Sequence, residues 1–129
     1  MTTPLGEGTR MPVHDEGLTA ELSAVGERAV VCRLVGDLDV ESLSPAEQVL
    51  DDALHARPEV VVVDLAEVGF CDSSGLNLLL RTRVAAQGAG VGLRLAAASA
   101  PVRRLLELTG AEAVFELSPS VQAALDGAR

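Results

Sequence analysis

The sequence predicts an α/β fold, a mixed β-sheet of four or five strands with about four α-helices. Three observations lead there. Residues 18–34 alternate apolar with polar side chains on both sides of a Gly26-Glu27 turn, the mark of a β-hairpin. Val60-Val61-Val62-Val63-Asp64-Leu65 is β-branched and apolar on both faces, as a central strand covered on two sides must be. Between and beyond these stretches, apolar residues recur at three- and four-residue steps in segments that alternate with further strands, the order that produces parallel pairing.

Residues 1–17 (MTTPLGEGTRMPVHDEG) are rich in Gly, Pro and Thr without periodicity, so they read as a flexible N-terminal segment, leaving 18–129 as a single domain. The hairpin buries Leu18, Ala20, Leu22 and Ala24 on one arm and Val30, Cys32 and Leu34 on the other. Ser44-Pro45-Ala46-Glu47 is a capping box with proline at the first helical position. It opens a helix with the face Ala46, Val49, Leu50, Ala53 and Leu54, which ends before Pro58.

After the central strand, Asp72-Ser73-Ser74 offers side-chain oxygens to the free amides of a second helix. Its predicted inward face is Leu76, Leu79, Leu80 and Val84, with a stop at Gly88. Val91–Ala96 is the next strand. Ser99 caps a helix carrying Val102, Leu105 and Leu106, and Gly110 ends it. Val114–Leu117 reads as an edge strand, and Ser118-Pro119 starts a last helix with Val121, Ala124 and Leu125 inward.

Composition narrows the function. At 48% hydrophobic and 22% charged, the 129-residue chain folds as one globular domain. Aromatics make up 2%, with no Trp or Tyr, so platforms for stacking bases are missing. A net charge of -9 repels phosphate backbones and anionic membranes, which leaves proteins as the expected partners, with no nucleic acid and no membrane. The charge is uneven: residues 1–72 hold fifteen acids and four arginines, residues 73–129 four acids and six arginines. Cys32 and Cys71 lie in apolar stretches and are expected to be reduced, buried thiols. No charged-then-apolar signal segment opens the chain and no apolar run approaches the ~20 residues needed to cross a bilayer, so a cytoplasmic location is expected.

Enzyme chemistry finds little support. The two histidines, His14 and His55, are far apart, and His55 at a helix C-terminus suits a solvated side chain facing the dipole. Without Lys the chain has no GxxxxGK[ST] loop, and Gly88-Ala89-Gly90-Val91-Gly92 follows a helix and precedes a strand, the reverse of a dinucleotide loop. No GxSxG elbow surrounds Ser73 or Ser74. No catalytic residue, metal site or cofactor is assigned.

Val68-Gly69-Phe70-Cys71-Asp72-Ser73-Ser74-Gly75-Leu76 places two serines at a strand-to-helix junction. Taken alone, this is an N-cap. Three segments together say more: Gly36-Asp37-Leu38-Asp39 after the second strand, Val63-Asp64-Leu65 through Asp72-Ser73-Ser74-Gly75-Leu76, and Ser99 through Gly110 (SAPVRRLLELTG). In this order, over residues 18–126, they resemble the STAS domain of bacterial anti-sigma factor antagonists, the SpoIIAA-like family.

The resemblance implies the STAS fold and a switch. The first serine of DSSG, Ser73 here, is the residue that the partner anti-sigma factor, itself a serine kinase, phosphorylates; Ser74 is its neighbour. The unmodified protein binds the kinase and frees the sigma factor. The phosphoprotein lets go until a PP2C-type serine phosphatase resets it, and ATP belongs to the kinase. Asp37, Asp39 and Asp72 either line the partner-facing rim near Ser73 or serve ordinary turn and cap chemistry. Ser74 and Gly75 adjoin the acceptor, and the family often carries small residues early in this helix. Here Asn77 and Arg81 share one exposed face instead, and Arg81 either meets a partner acid or solvates the helix. Two other readings stand beside the switch: a non-switching STAS scaffold in a larger sensory assembly, with Ser73 only a cap, and an enzyme with Ser73 as nucleophile, disfavoured for want of a base.

Overall fold

Alternating burial along the hairpin decides which face of the sheet carries the main core. The structure, a computed structural model, describes Val13–His14 and residues 17–127. Its elements are β1 (Val13–His14), β2 (Leu18–Val25), β3 (Ala29–Leu38), α1 (Ser44–His55), β4 (Val60–Cys71), α2 (Ser73–Ala89), β5 (Gly92–Ala96), α3 (Ala100–Thr109), a 3-10 turn (Ala111–Ala113), β6 (Glu116–Ser118) and α4 (Val121–Asp126). The strands lie in chain order across one sheet. Pairing is antiparallel from β1 to β3 and parallel from β3 to β6.

The expected five strands are β2 to β6, and the four helices follow in the expected order. The two-residue β1 adds an edge, with Val13 opposite Ala20. Pairing therefore reaches into the segment set aside from the fold, of which residues 1–12 and 15–16 lie outside the described residues.

Val30, Cys32 and Leu34 of β3, with Val61, Val63 and Leu65 of β4, point to one face. There they meet Leu50 of α1, Leu79 of α2 and Leu106 of α3 in the main core. The alternate residues Val31, Val60 and Val62, with Ala96, face the other way onto Ala124 of α4 and form a second, smaller core. The valine run is thus covered on both sides, as its composition required.

Several boundaries differ from the sequence reading. β4 runs to Cys71, so Val68-Gly69-Phe70-Cys71 is strand, and Gly36, Asp37 and Leu38 belong to β3 rather than following it. Two one-residue register shifts, between Arg33 and Val35 and between Gly36 and Asp37, let β4 gain on β3. Gly36, at φ +122, sits where a Cβ would lie 2.2 Å from the Gly17 carbonyl oxygen, so only glycine fits.

The box at Ser44 does not form. Leu43, already helical, is the N-cap and no side chain caps it; Glu47 turns instead to Arg81 of α2. Ser99 precedes α3 as expected, but its hydroxyl donates to the Val68 carbonyl at 2.6 Å rather than capping the helix. α2 passes Gly88 and ends at Gly90, φ 73. Because α2 packs on α1 as well as on the sheet, its buried arc takes in Leu78, Thr82 and Ala86, while Val84 is 64% exposed. The 3-10 turn after Gly110 shifts β6 to Glu116–Ser118, and Ser120, not Ser118, caps α4 by accepting from the Ala123 amide.

The first turn of α2 lies against the end of β3. A Cβ on Gly75 would stand 2.6 Å from the Leu38 carbonyl oxygen and 2.9 Å from Cys71 Sγ. Alanine gains about 1 kcal/mol of helix propensity over glycine, but overpacking against backbone costs about 1–3 kcal/mol. Gly75→Ala is therefore expected to lower the melting temperature, which thermal unfolding followed by circular dichroism would read; a higher value would refute the contact.

Cys32 and Cys71 are free and buried. Burial, then the charge of Asp52, pushes the Cys32 thiol from 9.0 to about 12; burial, then Asp72, pushes Cys71 from 9.0 to about 11. Both raised values mean stability present below pH 9 and lost as pH climbs toward 11 and 12. At pH 8 a thiol reagent should label neither cysteine in the native protein and both in denaturant, and rapid native labelling would contradict the burial.

Candidate partner-docking site

The junction of β4 with α2 builds the site. Asp72, extended at φ -109 and ψ -171, is the N-cap, and its Oδ1 accepts from the Ser74 amide at 2.9 Å and the Gly75 amide at 3.2 Å. The Asp72 amide donates to the Leu38 carbonyl at 3.2 Å, which fastens this junction to the end of β3. Ser73, the first residue of α2, is exposed, whereas Ser74 is half-buried and Gly75 buried.

Support comes from behind. The Ser99 amide donates to the Leu65 carbonyl and its hydroxyl to that of Val68, so the start of α3 braces the shifted stretch of β4. Within that stretch the Ala66 amide donates to Asp64 Oδ1 at 3.1 Å.

The structure brings Asp37, Asp39 and Asp72 to one sheet edge, all half-buried. Asp37 stands in register with Phe70. Asp39 Oδ1 accepts from the Glu41 amide at 3.1 Å and its carbonyl from the Ser42 amide, so Asp39 holds a turn. Asp72 is occupied as a cap. Both acids thus do local structural work at the edge where the rim was expected.

Asn77 and Arg81 are exposed at successive turns of α2, as their spacing implied. Arg81 is already paired: its Nη2 lies 3.6 Å from Glu47 Oε2 on α1, a surface pair worth at most about 1 kcal/mol. The two close over a groove of about 480 Å3 between α1 and α2, whose walls include Leu50, Leu54, Leu78 and Thr82. Gly75 is buried against Leu38 and Cys71, where the missing side chain lets α2 approach the sheet.

Near this junction stand two exposed apolar residues to which the sequence pattern assigned no role. Phe70 is 49% and Val40 72% exposed. The alternation that turns Cys71 inward turns Phe70 outward, a signal present once β4 is extended to Cys71.

Among the described residues no three His, Cys, Asp or Glu side chains converge on a metal position, and no helix is long and apolar enough to cross a membrane. His55 is exposed at the end of α1, with Nδ1 2.9 Å from the Asp51 carbonyl oxygen. What the geometry offers is an exposed hydroxyl on a rigid edge, with its neighbouring carboxylate held by amides.

The profile of the STAS domain matches residues 23–124. An anti-sigma F factor antagonist of Paenibacillus polymyxa is 30% identical over 91 residues, 70% of this chain and 75% of that protein. The crystal structure of an anti-sigma factor antagonist from Mycobacterium paratuberculosis superposes with a TM-score of 0.76 at 30% identity, over 87% of this chain and 94% of that one. The anti-sigma factor antagonist SpoIIAA in its unphosphorylated form, at 23% identity and a TM-score of 0.66, covers 83% and 93% and shares the fold. Sheet order, helix order and the match over residues 23–124 agree, and the chain belongs to the STAS domain family.

Proposed function

We propose that this chain is an anti-sigma factor antagonist whose unphosphorylated form binds an anti-sigma factor serine kinase and releases the sigma factor, and whose binding is switched off by phosphorylation of Ser73. The observation that carries the reading is the division of labour at α2: Asp72 satisfies the Ser74 and Gly75 amides, while Ser73, next to it, stays exposed. Two relatives at 30% identity that bear the antagonist name support it.

In this reading the kinase supplies ATP. Ser73 Oγ forms the new bond to the γ-phosphorus, ADP leaves, and the hydroxyl proton passes to a side chain of the kinase. A PP2C-type phosphatase returns the hydroxyl by hydrolysis, and both reactions take place in the cytoplasm. The added group carries about -1.5 to -2 charges. Since the nearest amides already serve Asp72, the phosphate projects outward and the fold persists. Against a docked partner it must lose water, and an uncompensated buried charge costs several kcal/mol. At about 1.4 kcal/mol per decade, affinity falls at least a hundredfold.

Incubation with ATP and the serine kinases of the same genome should add one phosphate by mass spectrometry, lost in Ser73→Ala and kept in Ser74→Ala. The opposite pattern would move the site, and no phosphate in any combination would favour the non-switching scaffold. Ser73→Glu should melt within a few degrees of the parent yet bind the kinase at least about a hundredfold more weakly, whereas Ser73→Ala should bind without regulation; equal affinities by calorimetry would defeat the switch.

Asp72 is expected to act through its cap. Asp72→Asn keeps an accepting oxygen and should stay nearly as stable as the parent, while Asp72→Ala should lose about 1 kcal/mol in urea unfolding. An equal loss in Asp72→Asn and Asp72→Ala would show that charge, not the accepting oxygen of the cap, matters.

A further inference from the structure

Phe70 is one of two aromatic residues in the chain, and unlike Phe115, which is 8% exposed, it lies outside the core at 49%. The path of β4 explains this. Cys71 points into the main core, so Phe70 points to the opposite face. The small core on that face is built on Val60 and Val62 at the other end of the strand and does not take it in. Val40, 72% exposed, follows Leu38 by two residues, and the Leu38 carbonyl accepts from the Asp72 amide. One exposed apolar side chain, Phe70, therefore stands near the end of β4, three residues before Ser73, and the other, Val40, on the β3–α1 connection just past the Leu38 carbonyl that holds Asp72.

Acids are their neighbours along the chain, and Asp37 stands in register with Phe70. Asp37 lies near the end of β3, Asp39 and Glu41 lie on the β3–α1 connection and Asp72 follows β4, and residues 34–43 and 66–80 contain no Arg or Lys. We propose that Phe70, with Val40, is the apolar anchor of the docking surface around Ser73, and that its occupant is a protein presenting an apolar recess bordered by basic side chains. The proposal rests on the docking role assigned to Ser73 above. Charge selects the occupant: a second copy of this chain brings the same acidic edge, and an anionic membrane is repelled. An apolar centre with a charged rim also divides the kinetics, the anchor governing dissociation and the rim governing encounter. A phosphate on Ser73 then meets the partner beside the dry centre, where the rim's attraction does not offset lost hydration.

The test uses the full chain and the purified anti-sigma factor kinases of the same genome, with association and dissociation recorded at low and physiological salt. Phe70→Ala and Val40→Ala should keep the parental melting temperature, and Phe70→Ala should bind at least about tenfold more weakly, chiefly through faster dissociation. Asp39→Asn with Glu41→Gln should slow association and flatten its salt dependence while dissociation stays unchanged. If both apolar variants bind as the parent does, the anchor is refuted and the antagonist reading stands. If the parent binds none of the kinases, both fall. Should sedimentation reveal a dimer that Phe70→Ala dissociates, the occupant is a second copy and the proposal is overturned.

Discussion

The Leu38 carbonyl is the point on which the candidate docking edge depends. It accepts the Asp72 amide, and it lies so close to Gly75 that no side chain fits between. One oxygen thus ties the end of β3 to the start of α2, and everything displayed at that edge inherits its rigidity. Ser73 is held between these two contacts, facing solvent, on a helix whose lower surface is committed to Leu38, Cys71 and α1. The brace from Ser99 to Val68 and Leu65 stiffens the strand from the other side.

In the proposed switch, this arrangement separates stability from signalling. A helix N-terminus attracts anions, and an unoccupied one would draw a phosphate inward. Here the Asp72 carboxylate already fills that role, so a charge added at Ser73 finds no vacant amides at Ser74 or Gly75 and must remain at the surface. A protein built this way is suited to a switch that leaves its fold alone and acts only on what touches it.

The charge pattern gains meaning from the same geometry. The acidic first half of the chain supplies the β3–α1 connection and the end of β4, while the described arginines of the second half lie on α2 (Arg81, Arg83), β5 (Arg94) and α3 (Arg103, Arg104). Arg81, the first of them, is turned to Glu47 of α1.

Much of this was legible beforehand. Apolar periodicity located every helix and β2 to β6, because burial repeats at 2 and 3.6 residues are properties of the chain itself, and DSSGL with its flanking segments pointed to the family. The misplaced features share another cause. Whether Ser44 capped α1, whether Ser99 capped α3, where β4 ended and which way Val84 faced depended on competing partners distant in sequence: Arg81 for Glu47, the Val68 carbonyl for Ser99, β3 for the end of β4, α1 for the arc of α2. The sequence by itself determined which segments bury an apolar face and which hydroxyls stand at a helix start. Only the tertiary structure decided that Gly75 is buried, that Asp72 is occupied and that Phe70 is left in solvent, since each outcome is a choice among neighbours that exist only once the chain has folded.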